Sequence, residues 1–416
     1  MPRVRHAALL VLAAGVVAAV AIAAARSADE TPIQTACGPL DKPAPATLHI
    51  VGNRMQDSNG NVVMPYGISL VSGPNTVNWR RSERAVAAQI IAAHRYWHAN
   101  TIRLQISEHL LFRHKTPGRS YNVAFAKSVD RLVCRIIAQG EIPVINSTTI
   151  FTGGEPGPSG RTLRFWRFMA KRYGNRFPVI FDLFNEPHVV RNPRTGQLLE
   201  EDDVWRIWRG GRVNGRTWLG MQRLVDEIRI TQRAGNVIWA EKPSTYDNNP
   251  DGASLSRLPR YLLKGKDIAY SFHKPRMNEN SRSFRDLREV AANGIPLVDS
   301  EWGQFAATDR PWMCQPDSYT TAPRYLKFLR DAGIGMLAWS LQPGVLVRGI
   351  AGVDTVNDGN DWRYTRDPRA LAEPNEMQPD YGCTASARGQ GVGRLVMDYF
   401  ARYSKAAPKT LFPKLG

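Results

Sequence analysis

Between residues 63 and 342, short apolar runs alternate with longer stretches whose apolar positions recur every three or four residues. The short runs are Val63–Val71, Thr101–Ser107, Ile142–Thr148, Val179–Asn185, Val237–Lys242, Ile268–His273, Pro296–Glu301 and Met336–Leu341. Several are apolar nearly throughout, as parallel strands covered on both faces must be. Between the runs, Val86, Ile90, Ala93 and Trp97 step by 4, 3 and 4, and so do Phe125, Val129, Leu132 and Ile136. That spacing gives each helix one apolar stripe to lay against a sheet. Further helical patterns cover 162–174, 217–233, 283–293, 322–332 and 392–405, whereas 247–267 is less clear. Eight strand–helix units, about 39 residues apart on average, predict a single (β/α)8 TIM barrel. A doubly wound sheet is the alternative, and the lack of a GxGxxG after the first run weakens it. Ahead of the barrel, Leu48–Val51 and Val62–Val63 flank Asp57-Ser58-Asn59-Gly60, which predicts an N-terminal β-hairpin.

The first residues follow neither period. Arg3 and Arg5 precede Ala7–Ala25, nineteen uncharged residues of which ten are alanine, and Ala23-Ala24-Ala25 stands before Arg26. This pattern predicts a signal peptide over 1–28, with a retained membrane anchor as the alternative, and a secreted chain in either case. Pro- and Gly-punctuated residues 29–47 read as a linker, 48–405 as the barrel domain and 406–416 as a C-terminal tail. Four cysteines suit an oxidising compartment. Of their three pairings, the loop-like setting of Cys314 and Cys383 favours Cys314–Cys383 with Cys37–Cys134, and free thiols remain the alternative.

Composition adds one constraint. The 416 residues carry 55 Lys and Arg against 37 Asp and Glu, a net charge of +18. The arginines are scattered, with no run of five or six like charges, so the surface reads as a solvated basic one. It is compatible with anionic cell-surface association, and no nucleic-acid partner is expected. His94 and His98 have zinc-compatible i, i+4 spacing but no HExxH glutamate, and read as a solvated helix face.

In a (β/α)8 barrel, function gathers at the C-terminal strand ends. The fourth run closes in Phe184-Asn185-Glu186-Pro187 and the seventh in Asp299-Ser300-Glu301-Trp302-Gly303. Two glutamates at these ends can face each other across the barrel mouth, and paired carboxylates are what glycoside hydrolysis requires. Asn185-Glu186-Pro187 and Glu301-Trp302-Gly303 resemble the two signatures of glycoside hydrolase family 5, the cellulase-like retaining enzymes. The resemblance extends to Asn100-Thr101-Ile102-Arg103-Leu104, His273 and Trp339, and spans about residues 48–405 in matching order. It implies Glu186 as acid/base and Glu301 as nucleophile. It also implies Arg103 beside the nucleophile, Asn185 on the sugar 2-hydroxyl, His273 lining the cleft and Trp339 as a platform under the sugar. Phe184 and Pro187 are local apolar groups able to keep Glu186 protonated.

Two positions depart from the family pattern. Asn146-Ser147-Thr148-Thr149 stands where a histidine is usual. His273-Lys274-Pro275 places proline where a tyrosine usually donates to the nucleophile, and Tyr246 and Tyr270 are the candidate substitutes. Trp79, Trp312, Trp362, Tyr364 and Tyr381 are candidate sugar-stacking rings, and Trp205, Trp208 and Trp218 sit among arginines. The expected activity is hydrolysis of a β-1,4-glucan or mannan-type polysaccharide or oligosaccharide by a monomer needing no metal or organic cofactor. The alternative is a catalytically weak barrel that binds glycan or cell wall through its basic surface.

Overall fold

Eight parallel strands pair in the closed order β10-β11-β12-β3-β4-β5-β6-β9, so no ladder edge is left open. In the computed structural model the described residues are Cys37 and 47–412, apart from 71–78, 114, 150–155, 176–177, 189–190, 193, 214–215, 245–251, 274–276, 307–313, 350–364 and 388. The barrel strands are β3 (Tyr66–Leu70), β4 (Thr101–Ser107), β5 (Ile142–Thr148), β6 (Ile180–Asp182), β9 (Ile238–Glu241), β10 (Ile268–His273), β11 (Leu297–Trp302) and β12 (Gly335–Trp339). All eight fall inside or within one residue of the expected runs. Gly67 and Gly335 lie where the chain passes close to a neighbour: a Cβ on Gly67 would stand 1.9 Å from the Thr101 carbonyl oxygen. The expected TIM barrel is the fold.

Alternation along the strands sorts the core into two. Outward positions such as Ile68, Ile102, Leu104, Phe181, Ile238 and Met336 join the helix-covered shell. Inward positions Val144, Ile180, Trp239, Ala269, Val298 and Leu337 form a separate interior cluster. Leu48 and Met55 of the N-terminal hairpin belong to that interior cluster and close the barrel floor. The apolar stripes read from the sequence lie on α1 (Trp79–Arg95) and α3 (Val123–Ala138), where Val86, Ile90, Phe125, Val129, Leu132 and Ile136 are buried.

Three local expectations change. The hairpin pairs β1 (Leu48–Val51) with β2 (Arg54–Asp57), so its reversal falls at Gly52, with φ +61°, and not at Asp57-Ser58-Asn59-Gly60. The latter makes a second turn, in which the Asp57 carboxylate accepts from the amides of Asn59 and Asn61 and Val62 returns against Gln56. Helix was expected throughout 217–233. Arg216–Leu219 instead pairs as β8 with β7 (Gly211–Val213), and Gly220 opens the helix at Met221. Gly211 and Gly220 permit this, since a Cβ on either would stand under 2.5 Å from backbone across the pair. At the C-terminus, Ala407 and Leu411 of the expected tail are buried in the interior cluster beside the hairpin.

Both expected disulfides, Cys37–Cys134 and Cys314–Cys383, are present, and no cysteine among the described residues is free. No helix among the described residues is long and apolar enough to cross a membrane; Ala7–Ala25 lies outside them. Cys37–Cys134 closes a sequence separation of 97 residues. Replacing Cys134 by serine is expected to lower unfolding stability by about 2–5 kcal/mol through the regained freedom of the unfolded chain, measured by denaturant unfolding with and without reductant.

Candidate active site

The same alternation that fills the floor with apolar side chains brings polar ones inward at the strand tops. Ser69, Arg103, Gln105, Asn146, Asp182 and Glu241 are all buried there, each two or four residues beyond an inward position. Regular alternation would turn Glu301 outward after the inward Val298. Register shifts between Phe272 and His273 and between Asp299 and Trp302 reset the pattern, so Glu301 turns inward and Trp302 outward against Tyr325. Gly303 allows the next close pass, because a Cβ there would stand 2.5 Å from the Trp339 carbonyl oxygen.

Arg103 is fully buried and touches most of this layer. Its Nε donates to Asp182 Oδ2 at 2.6 Å, its Nη2 to Asn185 Oδ1 at 2.8 Å, and its Nη1 to Ser69 Oγ at 3.0 Å and to Glu301 Oε1. Asn146, standing where a histidine was expected, donates to the same Asp182 oxygen at 3.0 Å. Burial disfavours the guanidinium charge, but the carboxylates of Asp182, Glu301 and Glu241 outweigh it and hold Arg103 above its ordinary value. Burial raises Asp182 despite the arginine.

Glu186 follows β6 in the left-handed region, with φ 49°, a costly conformation for a residue with a side chain. Its amide donates to Glu241 Oε2 at 2.8 Å, which secures the turn. The Glu186 carboxylate is 40% exposed and lies 3.2 Å from His273 Nδ1. Its near neighbour is therefore an imidazole, and Phe184, expected to help surround it, is buried in the outer shell instead. His273 Nδ1 is also 3.6 Å from Glu301 Oε2, and its Nε2 is 3.3 Å from Glu241 Oε2. One donor atom from each of Glu186, His273 and Glu301 lies within 4.8 Å of the others. Their types also suit a divalent cation.

Glu241 and Gln105 are the site residues that the sequence reading missed. Each carried a signal: Glu241 ends a strand with a carboxylate as Glu186 and Glu301 do, and Gln105 shares the inward parity of Arg103. Burial, reinforced by Glu186 and Asp182, pushes Glu241 up to about 8 against the pull of His273. Burial opposes charge on His273, but Glu241, Glu301 and Glu186 raise it to about 9.

Trp339 ends β12 at the mouth, 7% exposed, with its ring near-parallel to Phe305 at 6.0 Å. The peptide bond after it is cis. Tyr270, offered as the replacement donor, points away from the site: its hydroxyl accepts from the Leu263 amide at 2.7 Å. Tyr246, Lys274, Pro275, Trp312, Trp362 and Tyr364 lie outside the described residues. Several other candidate stacking rings are core. Trp79 packs edge-on against Phe125, Tyr381 is buried beside Cys314, and Trp205 and Trp208 are buried against each other.

Fold and site together define a (β/α)8 barrel of the paired-carboxylate class, with two glutamates facing across the mouth and a buried arginine on one of them. Residues 57–344 match the Cellulase family, glycosyl hydrolase family 5, and the chain belongs to it. Endoglucanase Z of Dickeya dadantii is 27% identical over 179 residues, which is 43% of this chain and 34% of that one. Cellulase CelDZ1 of a Thermoanaerobacterium is 22% identical over 256 residues, 59% of this chain and 58% of the relative. The matches thus span about a third and somewhat over half of these curated relatives. Among solved structures, the catalytic domain of a Thermobifida fusca endoglucanase, in complex with cellotetraose, superposes with TM-score 0.56 at 15% identity, covering 85% of this chain and 97% of that one. A Saccharophagus degradans β-glucanase with cellotetraose gives TM-score 0.53 at 16% identity, covering 79% and 92%.

Removing the Arg103 side chain by Arg103→Ala leaves Asp182 and Glu301 buried without their cation. A destabilisation of about 3–5 kcal/mol is expected in denaturant titration. His273 is raised, so its ionic contribution is complete below the ordinary histidine value and is lost as pH rises through about 9. Glu241→Gln removes the charge that raises it most while leaving burial in place. Its NMR titration midpoint is expected to fall below that of the unaltered protein; an unchanged midpoint would contradict the coupling.

Proposed function

We propose that the chain is a secreted retaining glycoside hydrolase that cleaves β-linked polysaccharide, of the β-1,4-glucan type in preference to mannan, by double displacement. The observation that carries this reading is the facing pair Glu186 and Glu301, which bring one carboxylate oxygen each to within 4.8 Å of each other. Carboxyl groups about 5–5.5 Å apart leave no room for an intervening water and suit a covalent intermediate, whereas inverting pairs stand roughly 6.5–9.5 Å apart. The family, and relatives named endoglucanase and cellulase, support glucan as the substrate.

Glu301 is the nucleophile. Its Oε1 is held by Arg103, Gln105 and Ser69, which leaves Oε2 to attack the anomeric carbon. Glu186, the more exposed of the pair, gives its proton to the departing glycosidic oxygen as the carbon–oxygen bond breaks. It then takes a proton from water, whose oxygen displaces Glu301 from the same carbon. Asn185 meets the sugar 2-hydroxyl, His273 places the Glu186 carboxyl, and Trp339 carries the ring of the sugar being cleaved. The hydrolysis balances with water alone, in a monomer. Both disulfides support export to an oxidising compartment, and the net charge of +18 supports association with anionic cell surfaces.

Reducing-sugar release from β-1,4-glucan, β-mannan, xylan and β-1,3-glucan is expected to be strongest on β-1,4-glucan and to vanish in Glu301→Gln. Proton NMR of the first product should show the β-anomer; initial α-anomer would overturn double displacement. Glu186→Ala is expected to lose roughly 10²–10⁴-fold in rate on glucan and to keep more of its activity on aryl glycosides, whose leaving groups need no proton. Equal loss on both would contradict its role as the acid.

A further inference from the structure

Gln105 occupies a position that a barrel strand would ordinarily give to a plain packing residue. It lies two residues beyond Arg103 on β4, is 3% exposed, and turns into the polar layer. Its Nε2 is 2.5 Å from Glu301 Oε1 and 3.3 Å from Asn185 Oδ1. Arg103 donates to the same two oxygens, through Nη1 and Nη2. Arg103 and Gln105 therefore converge on the same two oxygens, and Ser69 Oγ adds a longer contact of 3.5 Å to the Glu301 oxygen.

We propose that Gln105 is a positioning residue for this reaction, clamping Glu301 and Asn185 together so that both present a fixed atom to the sugar. The inference rests on the roles proposed for those two residues above. With Oε1 held from two directions, the Glu301 carboxylate cannot rotate to exchange its oxygens, and Oε2 stays toward the anomeric carbon. With Oδ1 taking both donors, the Asn185 amide has one orientation, its nitrogen turned away from Arg103 and free to donate to the 2-hydroxyl. Arg103 alone could serve both oxygens, but a single planar fork fixes them only along its own plane. A second donor on the neighbouring inward position of the same strand adds the missing constraint, and an amide does so without adding charge to a layer already crowded with it. Gln105 thereby adds a close donor to Glu301 in a chain whose sequence has proline at 275, where a donor is usual.

The test uses Gln105→Leu, which keeps bulk and removes the donor, and Gln105→Glu, whose carboxyl donates only while protonated. Both are assayed with an aryl β-cellobioside and with its analogue lacking the 2-hydroxyl on the cleaved sugar. Gln105→Leu is expected to lose roughly 10- to 100-fold in kcat with little change in KM, and the rate penalty for the missing 2-hydroxyl should shrink relative to the unaltered enzyme. Gln105→Glu should regain activity at acid pH and lose it as the pH rises, a dependence that a purely structural side chain would not produce. Wild-type kcat with an unchanged 2-hydroxyl penalty in Gln105→Leu, or an unaltered pH profile in Gln105→Glu, overturns the proposal. If the leucine variant fails to fold, the pH profile of the glutamate variant decides. An independent readout is the Gln105 side-chain amide proton signal, which should move upfield in Glu301→Ala; a signal that stays put overturns the pairing. A wild-type chain that hydrolyses no glycan while that signal moves refutes the proposed function and leaves the hydrogen bond standing.

Discussion

A fully buried guanidinium is the constraint on which the site depends. Arg103 cannot shed its charge, and leaving it unpaired away from water would cost several kcal/mol. The barrel must therefore bring acceptors to it, and does so from β3, β6, the turn after β6 and β11. Each acceptor is fixed by that demand, Glu301 among them. The Glu301 carboxylate is thus aligned by the stability of the fold itself.

Charge bookkeeping in the layer explains the proton placements. Among the described residues, the carboxylates of Asp182, Glu186, Glu241 and Glu301 gather around Arg103 and His273. Crowding carboxylates into a buried layer disfavours the charged form of each and favours the charged form of a neighbouring imidazole. Burial pushes Glu241 up to about 8, and the carboxylates around His273 raise it to about 9. Glu186, 40% exposed, is the carboxylate of the layer closest to the solvent.

Much of this was legible in the sequence because period and position coincide in a barrel. Alternating strands and 3.6-residue helices set the architecture, and strand ends set the height of Glu186, Glu301, Arg103 and His273. Glu241 was passed over because a single carboxylate after an apolar run looks like ordinary strand termination until its neighbours are known. Gln105 was passed over because glutamine carries no charge and matches no motif. The inward turn of Glu301 depends on register shifts that period-two reasoning does not contain. Tyr270 failed as a substitute donor for the converse reason: its parity places it on the outer face. Trp205 and Trp208, set among arginines after β6, are buried against each other in the helix layer, where their size is accommodated.

The barrel floor has a consequence for how the molecule is oriented. The hairpin beginning at Leu48 and the segment carrying Ala407 and Leu411 meet in one cluster at the N-terminal ends of the strands, where the Ile50 amide also donates to Asp267 just ahead of β10. The hairpin and the segment carrying Leu411 therefore meet at the pole opposite the mouth, while Cys37 is bonded to Cys134 on the helix Val123–Ala138. Both of these floor segments are thereby kept clear of the mouth.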